Sequence, residues 1–202
     1  MATAFSESES KTIRTRLKTT GREYLVRYGL RKTTVEQLAQ AAGISTGAFY
    51  RFYESKELLF FEIIEDMHEC MYERGMQILT TRKDLPQAER MELAFSEFFA
   101  QLSELGISDV WASDMDLLLR KIPENILKNH WTDDTSHIRD LIEHSGLKLT
   151  VGTEEAAAIV HALANFLACR KNFTDGYFEK TLTFMIRAVS RTLDAEARNG
   201  TG

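Results

Sequence analysis

Apolar residues recur along this chain at intervals of three, four and seven, and strict alternation does not persist anywhere. After Ser10, the stripe Ile13, Leu17, Tyr24, Leu25 and Tyr28 predicts a first helix, with Gly29 as its C-cap. Thr34 and Gln37 have the spacing of a capping box ahead of Leu38, Ala39 and Ala42, and Gly43 closes that short segment. Ser45 can cap a third short helix carrying Phe49 and Phe52 on one side. Ser55 opens a longer one through Leu58, Leu59, Phe61, Ile64, Met67 and Met71.

Further on, Pro86 precedes a helix with Met91, Phe95, Phe98, Phe99 and Leu102, ending near Gly106. The 106–152 region reads as shorter pieces, with Pro123 interrupting an apolar run and Gly146 and Gly152 bracketing a connection. Thr153 and Asp175 are the expected caps of two final amphipathic helices. The residues before Ser10 and the terminal ARNGTG are expected to fray. The fold class is therefore all-α: an N-terminal three-helix domain over 1–54, then a larger helical domain over 55–202.

Composition narrows the function. The 202 residues are 44% hydrophobic, and two cysteines, Cys70 and Cys169, are too few for a disulfide framework. With no signal-like or membrane-spanning run, the expectation is a cytoplasmic protein without a membrane partner. The formal charge of -5 is unevenly spread: residues 1–60 hold 10 Lys/Arg against 6 Asp/Glu, whereas 61–202 hold 15 against 24. A basic head on an acidic body suits a protein of which only the head approaches phosphates.

Within the head, Val35–Phe52 meets several position-specific demands of a helix-turn-helix at once. Leu38, Ala42, Ile44, Phe49 and Phe52 can point inward, Ala39 is small where a second helix must cross, and Gly43 sits where the turn calls for positive φ. A second helix laid in a major groove would present Ser45, Thr46, Gly47, Tyr50 and Arg51. Arg51 and Thr46 can read base edges, while Tyr50, Thr34 and Lys56 would fix position on phosphates.

The run TTVEQLAQAAGISTGAFYRFYESKELLFFEI, Thr33 to Ile63, resembles the DNA-binding signature of the TetR family of transcriptional regulators. The resemblance implies that Thr34, Ser45, Thr46, Gly47, Tyr50 and Lys56 lie at or near DNA, with Thr33 and Arg51 completing the expected contact set. It also implies that the divergent remainder binds a ligand and dimerises. The implied function is a ligand-responsive regulator, a repressor, that binds a palindromic double-stranded operator as a homodimer and is released by a small-molecule effector.

In the body, Met67, Met71, Phe95, Phe98, Phe99, Trp111, Met115 and Phe166 can line an adaptable, largely apolar cavity, with Arg120, His161 and Asn165 as polar fixtures. The expected dimer seam runs along Ala156, Val160, Leu163, Ala164 and Leu167 on one helix. On the last helix it continues through Phe178, Leu182, Met185, Val189 and Leu193.

An enzyme is not expected: the five histidines make no HExxH, and there is no CxxC, phosphate loop or serine elbow. No cofactor or metal is expected either, since His137 and His144 beside Asp133 and Asp134 read as surface residues. The rival is a helical ligand carrier or protein-interaction module without sequence-specific DNA binding.

Overall fold

In the computed structural model, which describes residues 5–174 and 176–196, the helical period is realised as nine α-helices among the described residues. They are α1 (Glu7–Lys32), α2 (Val35–Ala41), α3 (Thr46–Phe49), α4 (Lys56–Thr81), α5 (Gln87–Glu104), α6 (Ile107–Leu119), α7 (Glu124–Ser145), α8 (Thr153–Asn165) and α9 (Tyr177–Leu193). A tighter 3₁₀ turn, Phe166–Asn172, follows α8. No sheet forms among the described residues; a single antiparallel bridge joins Leu149 to Asp194.

The first helix starts earlier than expected. Ser6 accepts from the Glu9 N–H while the Glu9 carboxylate accepts from the Ser6 N–H, a full capping box that nucleates the helix four residues before Ser10. In the 106–152 region α7 is one helix of 22 residues. Pro123 stands just before it, where a missing N–H costs nothing. The expected cap Asp175 lies outside the described residues, as does the ARNGTG tail; Gly176 stands at the N-cap of α9 with φ 79°.

The chain divides into two compact units. Unit 1 comprises Met1–Met67 with Ser113–Pro123, and unit 2 comprises His68–Ala112 with Glu124–Gly202. A boundary at residue 54 is therefore corrected: α4 is continuous, and its Leu59, Phe60, Phe61 and Ile63 are buried in the core of the first unit. Leu17, Leu25, Leu38 and Phe49 complete that core, each large buried side chain stabilising it by about 1.5–3 kcal/mol. Gly21 lets α1 and α4 approach closely, because a Cβ there would come within 2.7 Å of the Ile63 side chain. At the surface Lys18 of α1 pairs with Glu62, 3.2 Å away, and with Asp66 of α4.

In unit 2, α5 packs on α9 and α7 on α8. Leu79, Met91 and Leu193 form a buried centre, with Phe95, Leu141 and Val189 against it. Gln87 closes one end: its amide donates to the Lys148 carbonyl (2.8 Å) and the Asp194 carboxylate (2.7 Å) and accepts from the Lys148 N–H (2.8 Å). This tie holds the connection from α7 to α8 against the end of α9.

Candidate nucleic-acid interface and ligand cavity

The head owes its shape to Gly43. In the turn after α2, the Gly43 N–H donates to the Gln40 carbonyl (3.0 Å) and the Ile44 N–H to the Ala39 carbonyl (2.9 Å), with Gly43 at φ 75°. Those two bonds with a left-handed residue make a Schellman motif, which ends the helix and reverses the chain. Ser45 then caps α3, its hydroxyl accepting from the Ala48 N–H at 3.1 Å. Phe49, fully buried, anchors the inner side of α3.

With one side fixed inward, the opposite edge of α3 faces solvent. Ser45, Thr46, Gly47, Tyr50 and Arg51 are all exposed, and a Cβ on Gly47 would meet nothing within 4 Å. The Arg51 guanidinium lies 4.8 Å from the centroid of the Phe5 ring. Thr34 is exposed at the N-terminus of α2, where its hydroxyl accepts from the Gln37 N–H (3.2 Å) and its own N–H donates to the Gln37 side chain (2.9 Å). An exposed helix start can meet phosphate, and an exposed arginine-bearing edge can meet base edges.

Two residues of the expected DNA-contact set have other duties. Thr33 is fully buried, and its hydroxyl donates to the Gly29 carbonyl at 2.9 Å, so it locks the end of α1 rather than facing a duplex. Lys56 is half-buried, and two of its three N–H donors go to the carbonyls of Leu30 (2.8 Å) and Thr33 (2.5 Å). It caps the carbonyl end of α1. Gly29 does not simply end that helix but breaks it at φ 75°, ψ 173°, after which Leu30–Lys32 resume one more turn.

The body contains an apolar cavity of about 100 Å³ in unit 2. Met71, Phe95 and Phe98 line it as expected, together with Tyr72, Leu141, Leu147 and Val160. The other expected lining residues lie elsewhere. Met67 and Met115 are buried in unit 1, Arg120 is exposed in the same unit, and Asn165 is exposed at the end of α8. Phe99 is buried outside the lining, Trp111 lies against His68 (5.7 Å between centroids), and Phe166 stacks on Phe178 at 5.1 Å. His161 faces the Asp134 carboxylate rather than the cavity.

The expected seam also needs correction. Ala156, Leu163, Leu167, Phe178, Leu182 and Leu193 are buried inside the single chain, where they satisfy the amphipathic pattern without a second copy. Val160, Ala164, Met185 and Val189 are half-buried. The apolar groups that α9 turns to solvent are Tyr177 and Phe184, 63% and 73% exposed, followed by Ala188.

Of the histidines, His137 meets Glu69 (3.4 Å) and the exposed His144 ring meets its own helix at the Asp140 carbonyl (2.8 Å). Asp134 is buried and gathers His68 and His130 around it. The four-residue spacing of His130 and Asp134 on one helix was a visible signal for this grouping. His68, 62 positions earlier, carried none.

A tight Schellman turn between α2 and α3, with a solvent-facing α3 edge on a basic three-helix unit, defines a helix-turn-helix protein of the all-α class. Residues 19–63 match the family model described as bacterial regulatory proteins, tetR family. Over this N-terminal segment the chain is similar to the TetR family.

A stretch of 53 residues is 40% identical to the HTH-type transcriptional repressor KstR2 of Mycolicibacterium smegmatis, covering 26% of each chain. The chain thus spans about a quarter of that relative's length. At the level of fold, RolR in complex with resorcinol superposes with a TM-score of 0.64 at 17% identity, covering 96% of this chain and 95% of that one. FadR of Bacillus subtilis in complex with stearoyl-CoA gives 0.57 at 16% identity, covering 89% and 98%. Among the described residues, no helix is long and apolar enough to cross a membrane.

Proposed function

We propose that this chain is a ligand-responsive transcriptional repressor that binds a palindromic operator as a homodimer and is released by a small, largely apolar effector. The observation that carries the reading is the exposed Ser45–Arg51 edge, held outward by the Gly43 turn and the buried Phe49. Thr46 and Arg51 read base edges, Arg51 offering a bidentate donor to guanine. Tyr50, Ser45 and the Thr34 end of α2 set register on phosphates.

The effector belongs in the unit 2 cavity. A drug-sized ligand occupies roughly 300–1,000 Å³. At about 100 Å³ this cavity takes a much smaller apolar group, or it enlarges as Met71, Phe95 and Phe98 swing aside. Support comes from the ligands named for two proteins of like fold, resorcinol for RolR and stearoyl-CoA for FadR. Release requires that the effector prefer an arrangement of the dimer unable to seat both heads. A preference of about 10⁴-fold moves such an equilibrium from nearly all competent to nearly none.

The dimer surface we assign is the exposed face of α9 with Tyr177, Phe184 and Ala188, alongside Ala158 and Ala162 of α8. Paired across a two-fold axis, these helices form a four-helix bundle.

Selection of bound duplexes from a random DNA library, using the full chain, tests the reading. Enrichment of an inverted repeat with half-sites spaced by about one helical turn, ~34–36 Å, or a multiple is the expected result. Recovery without a shared sequence, with affinity equal for scrambled duplex, would favour the carrier reading.

A further inference from the structure

His130 and Asp134 lie one turn apart on the same face of α7, and both side chains are buried, 7% and 8% exposed. His68 of α4 joins them, so that one donor atom from each of the three lies within 4.8 Å of the others. The His130 Nε2 is 3.5 Å from one Asp134 oxygen and the His68 Nδ1 is 3.8 Å from the other. His161 of α8 brings its Nε2 to 3.8 Å from the oxygen that His130 approaches.

These separations are longer than the ~2.7–3.2 Å of an N–H···O hydrogen bond. They are close to the distances between neighbouring ligands around an ion. With arms of ~2.0–2.2 Å, a tetrahedral site has edges of about 3.3–3.6 Å. Among the described residues, His68 Nδ1 and His161 Nε2 are buried without a hydrogen-bond partner. Buried polar atoms ordinarily find one, so two unmatched ring nitrogens turned on one carboxylate call for a missing partner.

Protonation fits as well. Burial, reinforced by the neighbouring histidines, pushes the His130 imidazole below its ordinary value although Asp134 pulls the other way. Burial raises Asp134, but His68, His130 and His161 outweigh it and hold the carboxyl below its usual range. With the imidazoles neutral, the carboxylate has lost its positive neighbours, and a metal cation would supply the missing counter-charge. The surroundings are aromatic: His68 stacks on His130 with centroids 5.4 Å apart, Trp111 lies beside His68, and Trp131 lies against both His130 and His161. Tyr72, whose phenol burial and the Asp134 carboxylate push upward, stands between this cluster and the apolar cavity it also lines.

We propose that His68, His130 and Asp134 bind one divalent transition-metal ion of the Zn(II), Co(II) or Ni(II) type in unit 2, with His161 held against the same carboxylate at the edge of the site and a fourth position left to solvent. Imidazole selects such ions over Mg(II) and Ca(II), which require mostly oxygen ligands. The exposed Cys70 is not needed for the set.

The test uses the full chain without a histidine tag, stripped with chelator and titrated with Co(II), then with Zn(II) as competitor. One equivalent of Co(II) per chain with visible d–d bands of a four-coordinate site, displaced by Zn(II) and untouched by excess Mg(II), is expected. Removing an outer-shell partner alone costs about 10–100-fold in metal affinity, so Asp134→Asn and His130→Ala should each lose more than ~10-fold. His161→Ala should weaken binding too, and His144→Ala should leave it unchanged.

Because a variant of a buried cluster can fail to fold, the unmodified protein provides a second measurement. Zn(II) should shift the ring ¹⁵N resonances of His68, His130 and His161 but not of His144. Absence of stoichiometric Co(II), undiminished binding in a folded Asp134→Asn protein, or shifts confined to other histidines would overturn the site. None of these readouts involves DNA, so the site and the regulator reading stand or fall separately.

Discussion

The backbone N–H of Leu30 donates to the buried carboxylate of Asp114 at 2.7 Å, across 84 residues of sequence. Gly29, in a left-handed conformation, has broken α1 just before it, so this N–H has left the regular helical ladder. Asp114 on α6 supplies the acceptor the kink requires. Replacing Asp114 with Ala leaves a buried donor unpaired, and we expect a loss of about 1–3 kcal/mol in chemical denaturation. An unchanged denaturation midpoint would show that the bond contributes nothing net.

Gly29 and Asp114 should also be coupled. A Cβ at Gly29 would stand 2.8 Å from the Asp114 Oδ2, and the φ of 75° is strained for any L side chain. Gly29→Ala should cost roughly 1–3 kcal/mol. In the double variant with Asp114→Ala the two losses should sum to less than additive, because removing the carboxylate clears the space the methyl needs. Strict additivity in a double-mutant cycle would refute the steric part.

Arg51 and Lys56 are expected to separate affinity from stability. Arg51→Ala should weaken operator binding by about 1–3 kcal/mol with little change in melting temperature, provided the guanidinium reads a base. Lys56→Ala should instead lower stability, since it strips two carbonyls at the end of α1 of their charged donor. Parallel melting curves and mobility-shift titrations distinguish the two. Raising salt should flatten the wild-type affinity along a log–log line in proportion to the phosphates neutralised.

Phe184→Glu should convert the proposed dimer to monomer while leaving the fold intact, because 73% of that residue is exposed in the single chain. Leu182→Ala, by contrast, empties a buried position and should cost about 2–5 kcal/mol of stability. Sedimentation together with thermal melting reads both outcomes. A Phe184→Glu dimer as tight as wild type would move the interface off this face.

How much of this was legible in the sequence depends on whether the signal is local. The Thr34–Gln37 and Ser45 caps, the Gly43 turn and the inward Phe49 follow from spacing within a turn or two, and all are found in place. Thr33 and Lys56 stand near the expected DNA-contact positions along the chain but meet α1 in space, through contacts 4 to 26 residues distant. Periodicity on α9 reported which residues leave solvent. It could not report that Leu182 and Phe178 leave it for their own chain rather than a partner. The carboxylate–histidine cluster needed three helices to converge, which spacing along one of them does not specify. The capping box at Ser6 and Glu9 was local and visible, yet the polar composition around it suggested fraying instead.

The ring of Phe5 lies beneath the Arg51 guanidinium, 4.8 Å from it, and also touches the Phe52 ring with centroids 5.7 Å apart. Phe5, just ahead of α1, therefore fixes where this guanidinium points, the side chain to which base reading is assigned in the proposed function. If Arg51 reads a base, Phe5→Ala should blunt the preference among duplexes while the buried Phe49 still holds α3 in place.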